Sequence, residues 1–442
     1  MNDIKKINVI GAGLAGCEAA WQAARRGIAV RLIEMKPKKK TPAHTSDLFG
    51  ELVCSNSLRN AEVASAAGLL KEELRRMGSL MMEAADASRV SAGGALAVDR
   101  LRFASYITDK IRSCPLIEVV EEEATEIPLD EITVIATGPL TSDAMARQII
   151  ALTGQGGLSF FDAAAPIVDF ASIDMSRAFF ASRYGKGDAD YINCPMNEAE
   201  YKAFYDALIH AEEAKLHDFE ADAPLTVFEG CMPVEVMAKR GEDTLRFGPM
   251  KPVGIRHPVT GESYYAVVQL RREDEVGTMF NLVGFQTHLT FPEQRRVFSM
   301  IPGLENAEFL RYGVMHRNTF LNSPELLDAD YSLRSNPNIF FAGQMTGVEG
   351  YIESAASGYV AGLSAVCRAR GQATPIFPKE TMVGAMADYI SHGGTGDFQP
   401  MNANFGIIPP LAQRLKGGRR VRYAEYARRA LEVLETFPLL LP

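Results

Sequence analysis

A pattern able to do chemistry stands near the start of the chain. Gly11-Ala12-Gly13-Leu14-Ala15-Gly16 follows the apolar run Ile7-Asn8-Val9-Ile10, and an acid, Glu34, stands 23 residues past Gly11. These types at this spacing suit a dinucleotide. Gly11 permits a tight turn, Gly13 lets backbone approach a pyrophosphate, and Gly16 lets a helix pack closely on a strand. The helix N-terminus offers unpaired N–H groups and a positive dipole end to the phosphates. Glu34 is placed to accept hydrogen bonds from a ribose diol. The pattern alone does not separate FAD from NAD.

The second group of candidates is the thiols. The six cysteines (Cys17, Cys54, Cys114, Cys194, Cys231, Cys367) are far apart with no CxxC pair. That spacing argues against a disulfide framework, a zinc site and a thioredoxin-type redox pair. Cys54 lies in Val53-Cys54-Ser55-Asn56-Ser57-Leu58, where the small polar run suits a helix start or an anion-facing turn. Cys231 lies in Glu229-Gly230-Cys231-Met232-Pro233-Val234-Glu235. By surroundings alone both read first as buried hydrophobes. Cys17, inside the first helix, reads as packing, and Cys194, before Pro195, as part of a polar loop. A lone histidine such as His316 is by default a satisfied structural group.

Around these residues the chain reads as α/β. Ile7–Ile10, an Ala-rich helix to Arg26, and a strand from Ala29 to Ile33 closed by Glu34 make a βαβ unit. The basic turn 35–42 reads as a solvated loop, with phosphate contact as the alternative. Residues 61–86 have helical spacing, ending near Gly78 or continuing through the core-filling pair Met81-Met82. A glycine hinge at Gly93-Gly94 enters a strand, a helix runs from about Leu101 to Arg112, and a strand from Leu116 to Glu122. Ile132 to Ile135 is a buried parallel strand ending in the small-residue turn Ala136-Thr137-Gly138. From about Phe160, short strands with Gly and Pro punctuation take over (167–168, 264–270, 279–285), interrupted by one helix over about 198–215. A strand then ends in Ala342-Gly343-Gln344, and Gly347-Val348-Glu349-Gly350-Tyr351 leads into a small-residue helix to about Arg370. The expected division is a first part of a cofactor domain at 1–155, an inserted mixed α+β domain at 156–324, and the second cofactor part with a basic tail at 325–442. That tail interleaves Arg414, Lys416, Arg419, Arg420, Arg422, Arg428 and Arg429 with Tyr423 and Tyr426. It suits either a solvated face or RNA backbone contact.

Composition narrows the class. At 442 residues, 47% hydrophobic and 23% charged, the chain is of ordinary globular type. No signal-peptide pattern precedes the first strand, and no apolar run approaches the roughly 18 residues of a membrane span. With the unpaired cysteines, this points to the cytoplasm. A net charge of −9 gives no global attraction to nucleic acid, so any RNA partner would use local basic patches.

Several stretches together resemble one family. Beside the glycine loop they are Thr41-Pro42-Ala43-His44, the Cys54 run, Met81-Met82-Glu83-Ala84-Ala85-Asp86 and Gly93 to Arg100. Further on they are Phe247-Gly248-Pro249-Met250-Lys251-Pro252-Val253-Gly254, Val283-Gly284-Phe285-Gln286-Thr287, Gly313 to Thr319, and Gly347 to Tyr351. The chain is similar over nearly its whole length to the folate- and FAD-dependent RNA (uracil-5-)-methyltransferases. The resemblance implies a Rossmann-like FAD-binding domain of the two-dinucleotide-binding type. It implies transfer of the one-carbon unit of 5,10-methylenetetrahydrofolate to C5 of a uridine in the tRNA T loop, with NADH or NADPH as electron source. Cys54 and Cys231 then correspond to the family's two functional cysteines. Cys231 is assigned as the nucleophile at uracil C6 and Cys54 as the guard of the flavin-borne carbon, an order that could be reversed. His316 is the candidate for stacking on the folate pterin. Lys251 is placed to hold folate glutamate, RNA phosphate or flavin N1/O2 charge. Gly138, Gly343 and Gln344 join the cofactor set, and Glu349 or Glu353 is the candidate base. No metal and no stable protein partner are implied.

The residues support this chemistry in their own terms. Uracil C5 is a poor nucleophile until a group adds at C6, and a thiolate does this best. The methylene must arrive as an electrophile, the C5 proton must leave, and a hydride must complete the methyl group. Alternatives are the same chemistry on a ribosomal uridine and a different flavin-dependent NAD(P)H oxidoreductase. Against a disulfide reductase stand the missing CxxC and second GxGxxG. Relatives that modify wobble uridines with a GTPase are longer. A non-catalytic flavin-storage or RNA-chaperone module is the remaining reading.

Overall fold

The computed structural model describes residues 6–41, 43–154, 158–163, 165–185, 188–214, 232–313, 315–393, 398–413 and 418–438, with 158–163 and 315–319 as backbone only. Among the described residues two six-stranded sheets dominate. The first runs in the order 332–333, 336–341, 133–135, 7–10, 30–34, 117–121 and is parallel except for its 332–333 edge. Ile7–Ile10 is buried at all four positions, as expected for a parallel strand covered on both faces.

Two helices cover one face of this sheet and cross closely. Leu14–Arg25 follows the glycine loop, and Tyr351–Arg370 returns late in the chain. A methyl group on Gly358 would lie 2.2 Å from the Ala15 carbonyl oxygen, and one on Gly362 2.7 Å from the Ala19 Cα. The small residues of the late helix therefore permit backbone-to-backbone packing. Gly16 does the same within the loop, where an added Cβ would sit 1.8 Å from the Gly11 oxygen.

The second sheet is antiparallel, in the order 179–181, 191–196, 266–272, 279–282, 167–169, 309–311. Its core is separate from that of the first sheet and includes Val168, Ile192, Leu270, Phe280 and Phe285. The strands Leu158–Ala163 and Met315–Phe320 pair antiparallel as the chain passes between the sheets. This ribbon brings entry and exit side by side, so a whole unit fits between neighbouring parts of the first sheet.

Several local readings change. Residues 61–86 form two helices, Ala66–Arg76 and Leu80–Ala87, because Gly78 takes φ +74° and Ser79 caps the second with its side chain. The helix after 198 stops at Ile209. The Cys54 run starts no helix; it turns into the strand Ser57–Asn60. Cys194 is not in a polar loop but fully buried in the strand Tyr191–Met196. Pro195 is tolerated there because residues 179–181 pair only with 191–193, leaving no neighbour for an N–H at 195 on that side. Nor is the basic turn 35–42 solvated throughout. Lys36 is 3% exposed and sits 3.6 Å from Glu51, while residues 38–40 are exposed.

Candidate active site

The nucleotide loop lies at the C-terminal ends of the parallel strands, where such sheets bind ligands. Gly11 has φ +99°, and a Cβ there would lie 2.6 Å from the Ala136 oxygen. This glycine thus allows the first loop to meet the Ala136-Thr137-Gly138 turn. Gly13 is the N-cap of the first helix, with no side chain capping it and no acid in its first turn. Space opposite the Gly13 and Gly138 Cα atoms is open to 4 Å. An uncapped helix start beside open space is a cradle that fits a diphosphate.

Glu34 ends its strand at 7% exposure. One carboxylate oxygen accepts the Ala12 N–H at 2.7 Å and the other accepts the Lys36 N–H at 2.9 Å. A carboxylate oxygen has room for a second hydrogen bond, so Glu34 can stiffen the loop and still receive a ribose diol. Gly11, Glu34, His44 and Thr141 line a cavity of about 70 Å³ here. A larger cavity of about 310 Å³ adjoins it, lined by Gly13, Leu14, Ala15, Gly138, Gly343, Gln344 and Cys54 among others. His44 lines both. Burial, and then the Lys36 cation, pull the His44 imidazole below its ordinary value, and its Nδ1 lies 2.7 Å from the Thr41 hydroxyl.

The Cys54 turn is held from every side. Tyr351 starts the late helix, and its hydroxyl oxygen accepts the N–H groups of Cys54 at 2.7 Å and Ser55 at 3.1 Å. Burial pushes the Tyr351 phenol well up, keeping it neutral. Arg100 donates to the carbonyls of Leu52 and, at 3.0 Å, Cys54, while its Nε meets Glu273 at 2.6 Å. Burial alone would lower the Arg100 guanidinium, but the Glu273 carboxylate reverses this and holds it above its ordinary value. From the second sheet, Arg311 donates to the Val53 carbonyl at 2.8 Å and Arg271 to the Ser55 hydroxyl at 2.7 Å. Asn56, fully buried, joins Val98 to Arg271 and Arg272. Both units therefore fix one short turn.

The remaining lining brings polar groups to the same space. Gln286, from the loop after the strand Met279–Leu282, enters from the second unit. Gln344 donates to Glu349 at 2.7 Å. Glu353, 2% exposed, accepts the Ala403 N–H at 3.1 Å and lies 3.7 Å from Arg59.

Of the sequence candidates, Gly11, Ala12, Gly13, Leu14, Ala15, Gly16, Glu34, Gly138, Gly343, Gln344 and Cys54 thus meet around one loop cluster. Lys251 sits half-buried after the short helix Thr244–Phe247 and is not among the residues lining these two cavities. His316 pairs with Asp162 in the strand ribbon, its side chain outside the described residues. Cys231 lies outside the described residues altogether. Sequence reasoning assigned no role to Tyr351, Arg100, Gln286 or His44, although each stands inside a stretch that carried the resemblance. Arg271 and Arg311 carried no such signal. Cys17 packs as expected: it is fully buried, bonds the Ala12 carbonyl at 3.3 Å, and burial raises its thiol well above the ordinary value.

Comparison with known proteins adds to this geometry. A family model described as glucose inhibited division protein A matches residues 6–373. A methylenetetrahydrofolate–tRNA-(uracil-5-)-methyltransferase, TrmFO, of Acetivibrio thermocellus is 58% identical over 434 residues, covering 98% of this chain and 99% of its own. The enzyme of the same name from Heliobacterium modesticaldum is 59% identical over 431 residues, covering 98% and 97%. Among solved structures, the GidA protein of Aquifex aeolicus superposes with a TM-score of 0.69 at 17% identity, over 97% of this chain and 73% of its own. At that identity the likeness concerns the fold alone.

Proposed function

We propose that this chain, which belongs to the methylenetetrahydrofolate–tRNA-(uracil-5-)-methyltransferase family, methylates C5 of a uridine in the tRNA T loop. The one-carbon unit comes from 5,10-methylenetetrahydrofolate and the electrons from NADH or NADPH. The observation that carries the reading is the meeting of Cys54, fixed by both units, with the uncapped glycine-loop helix at one cavity. Bound FAD supplies a carrier for the one-carbon unit and the electrons that reduce it to methyl.

The residues have separable tasks. Gly13, Leu14, Ala15 and Gly16 present the helix N–H groups to the cofactor diphosphate, with Gly11 and Ala12 shaping the turn. Glu34 receives the adenosine ribose. Gly138, Gly343 and Gln344 line the space for the flavin ring. The Cys231 thiolate adds to uracil C6 and pushes electron density to C5, which forms the new carbon–carbon bond. A base then removes the C5 proton as the bond from the new carbon to its carrier breaks, leaving a methylene on C5. A hydride, which FAD would supply when bound, converts it to methyl as the thiolate leaves C6 and the C5–C6 double bond is restored. Glu51, Glu349 and Glu353 are the carboxylates lining the cavity. Glu51 is engaged by the Thr45 N–H and Glu349 by Gln344, and Glu349 or Glu353 is the candidate base. Cys54 guards the transferable carbon until uracil is in place. His316 stacks on the pterin, and Lys251 holds the charge of folate glutamate, RNA phosphate or flavin N1/O2. Among the described residues no helix is long and apolar enough to cross a membrane, in keeping with a cytoplasmic enzyme acting on tRNA.

The test is transfer of labelled methylene carbon to tRNA by the flavin-loaded protein, followed by mapping of the modified nucleotide. Label at a T-loop uridine is expected, and Cys231→Ala should abolish it while leaving the flavin bound. Label confined to ribosomal RNA would replace the substrate. Full activity in Cys231→Ala would remove the nucleophile.

A further inference from the structure

An open groove of about 930 Å³ lies beside the catalytic cavity. One wall is the segment from Arg59 to Ala67; the other is Ala403 to Phe405 with Arg419, Arg420 and Tyr423 of the C-terminal helix Gly418–Thr436. Arg59 lines the groove and the catalytic cavity alike. We propose that this groove holds the RNA strand flanking the target nucleotide, and that Arg59 is a positioning residue at the doorway through which that nucleotide enters the cavity. The inference rests on the function proposed above and assigns the surface by which the substrate is held.

Charge and chemistry both favour RNA. The protein is acidic, at −9, yet this lining holds three arginines and one carboxylate, Glu62. Glu62 lies 3.8 Å from Arg420, whose side chain is 91% exposed, a pairing that a phosphate displaces easily because exposed ion pairs contribute little. The Arg419 guanidinium stands 4.9 Å over the Tyr423 ring, and that ring packs on Phe405 at 4.5 Å. Cations interleaved with aromatic faces suit a single strand, whose bases stack while its backbone is neutralised. Elsewhere in the same helix Arg428 is taken up by Glu425 and Glu432, and Arg429 by the carbonyls of Pro409 and Pro410. The cations left toward the groove are thus at the helix start.

The doorway is built to stay in place. Arg59 has φ +66°, a backbone conformation that side-chain-bearing residues rarely adopt. Buried Glu353 grips both walls, lying 3.7 Å from the Arg59 guanidinium and accepting the Ala403 N–H. Behind them Lys71, 1% exposed, donates to the carbonyls of Asn60 and Ala67. The partly exposed Arg59 head is therefore presented by a rigid frame, with cavity on one side and groove on the other.

The test measures binding of unmodified tRNA to the FAD-loaded protein over a range of salt, with carbon transfer followed in parallel. In Arg419→Ala/Arg420→Ala, affinity should fall about tenfold, and the slope of log K against log salt should flatten by about 0.7–0.9 per lost contact. Lys202→Ala, on the outer helix of the second unit, should change neither. Arg59→Gln should cut transfer at saturating tRNA at least about tenfold while flavin content and NAD(P)H-driven flavin reduction stay unchanged, and Arg59→Lys should recover part of the loss. Wild-type protein that binds and methylates tRNA, with identical affinities and slopes in the arginine variants, overturns the groove and leaves the function standing. Full transfer in Arg59→Gln overturns the doorway. Wild-type protein that neither binds nor methylates tRNA overturns both readings.

Discussion

Glu34 carries two tasks with one carboxylate. It holds the glycine loop by accepting the Ala12 and Lys36 N–H groups, and under the proposed function it also receives the cofactor ribose. Glu34→Gln keeps one acceptor for the loop but removes the charge from the ribose contact. FAD affinity should drop by about 1.5–3 kcal/mol, the size of a charge-assisted hydrogen bond. Titration of the flavin-free variant with FAD checks this, and unchanged affinity contradicts the ribose role. Tyr351→Phe is the parallel test at the thiol. It keeps the ring but leaves two N–H groups of the Cys54 turn without their acceptor. Loss of positioning worth about 1.4 kcal/mol lowers carbon transfer about tenfold at full flavin occupancy, while equal rates would mean that the turn holds itself. At this scale the sequence was legible where type and spacing are local, as with the glycines and Glu34. It was not legible for Arg271 and Arg311, because an arginine donating to a hydroxyl or a carbonyl more than two hundred residues away leaves no local pattern.

The crossing of Leu14–Arg25 with Tyr351–Arg370 positions the cofactor loop, since the first of these helices begins in that loop. Gly358→Ala tests it. In an isolated helix the change would stabilise by roughly 1 kcal/mol. Here the new methyl would stand 2.2 Å from the Ala15 backbone oxygen, and overpacking of about 1–3 kcal/mol wins. The variant should melt lower and bind FAD more weakly, because the displaced helix carries the diphosphate cradle. A raised melting temperature would show that the crossing has slack. Small residues in the late helix announced this close approach in the sequence, and the buried apolar run at 133–135 announced its strand. Breaks were harder. The helical spacing of 61–86 continues across Gly78, and only its positive φ with the Ser79 cap divides it. Pro195 suggested a loop because whether a strand neighbour lies opposite it depends on pairing that no local residue encodes.

Across the whole molecule, buried carboxylates tie distant segments by capping helices they do not belong to. Glu18 accepts the Leu80 and Met81 N–H groups, and Glu73 those of Met382 and Val383. The second tie joins the helix beyond the RNA groove to the helix Met382–His392, and so to the C-terminal part of the chain. Burial raises the Glu73 carboxyl from 4.5 to about 8, outweighing two N–H bonds that favour the ionised form. A raised acid pKa means that the folded state holds a proton the unfolded chain has released. Its contribution is fully present below 4.5 and is lost as pH rises through about 8. Glu18 and Glu235 are raised in the same direction by burial, so wild-type stability should fall across this window for more than one reason. Glu73→Gln isolates one of them. Its amide cannot ionise, so it should start less stable in acid, having lost one of two acceptors, and lose less stability on going to pH 9. The difference between the two slopes should amount to about 1–4 kcal/mol, given about 1.4 kcal/mol for each unit of pKa shift. Urea unfolding of both proteins at about pH 5 and pH 9 measures it, and parallel losses would mean that Glu73 keeps its charge and caps the Met382 helix as an anion.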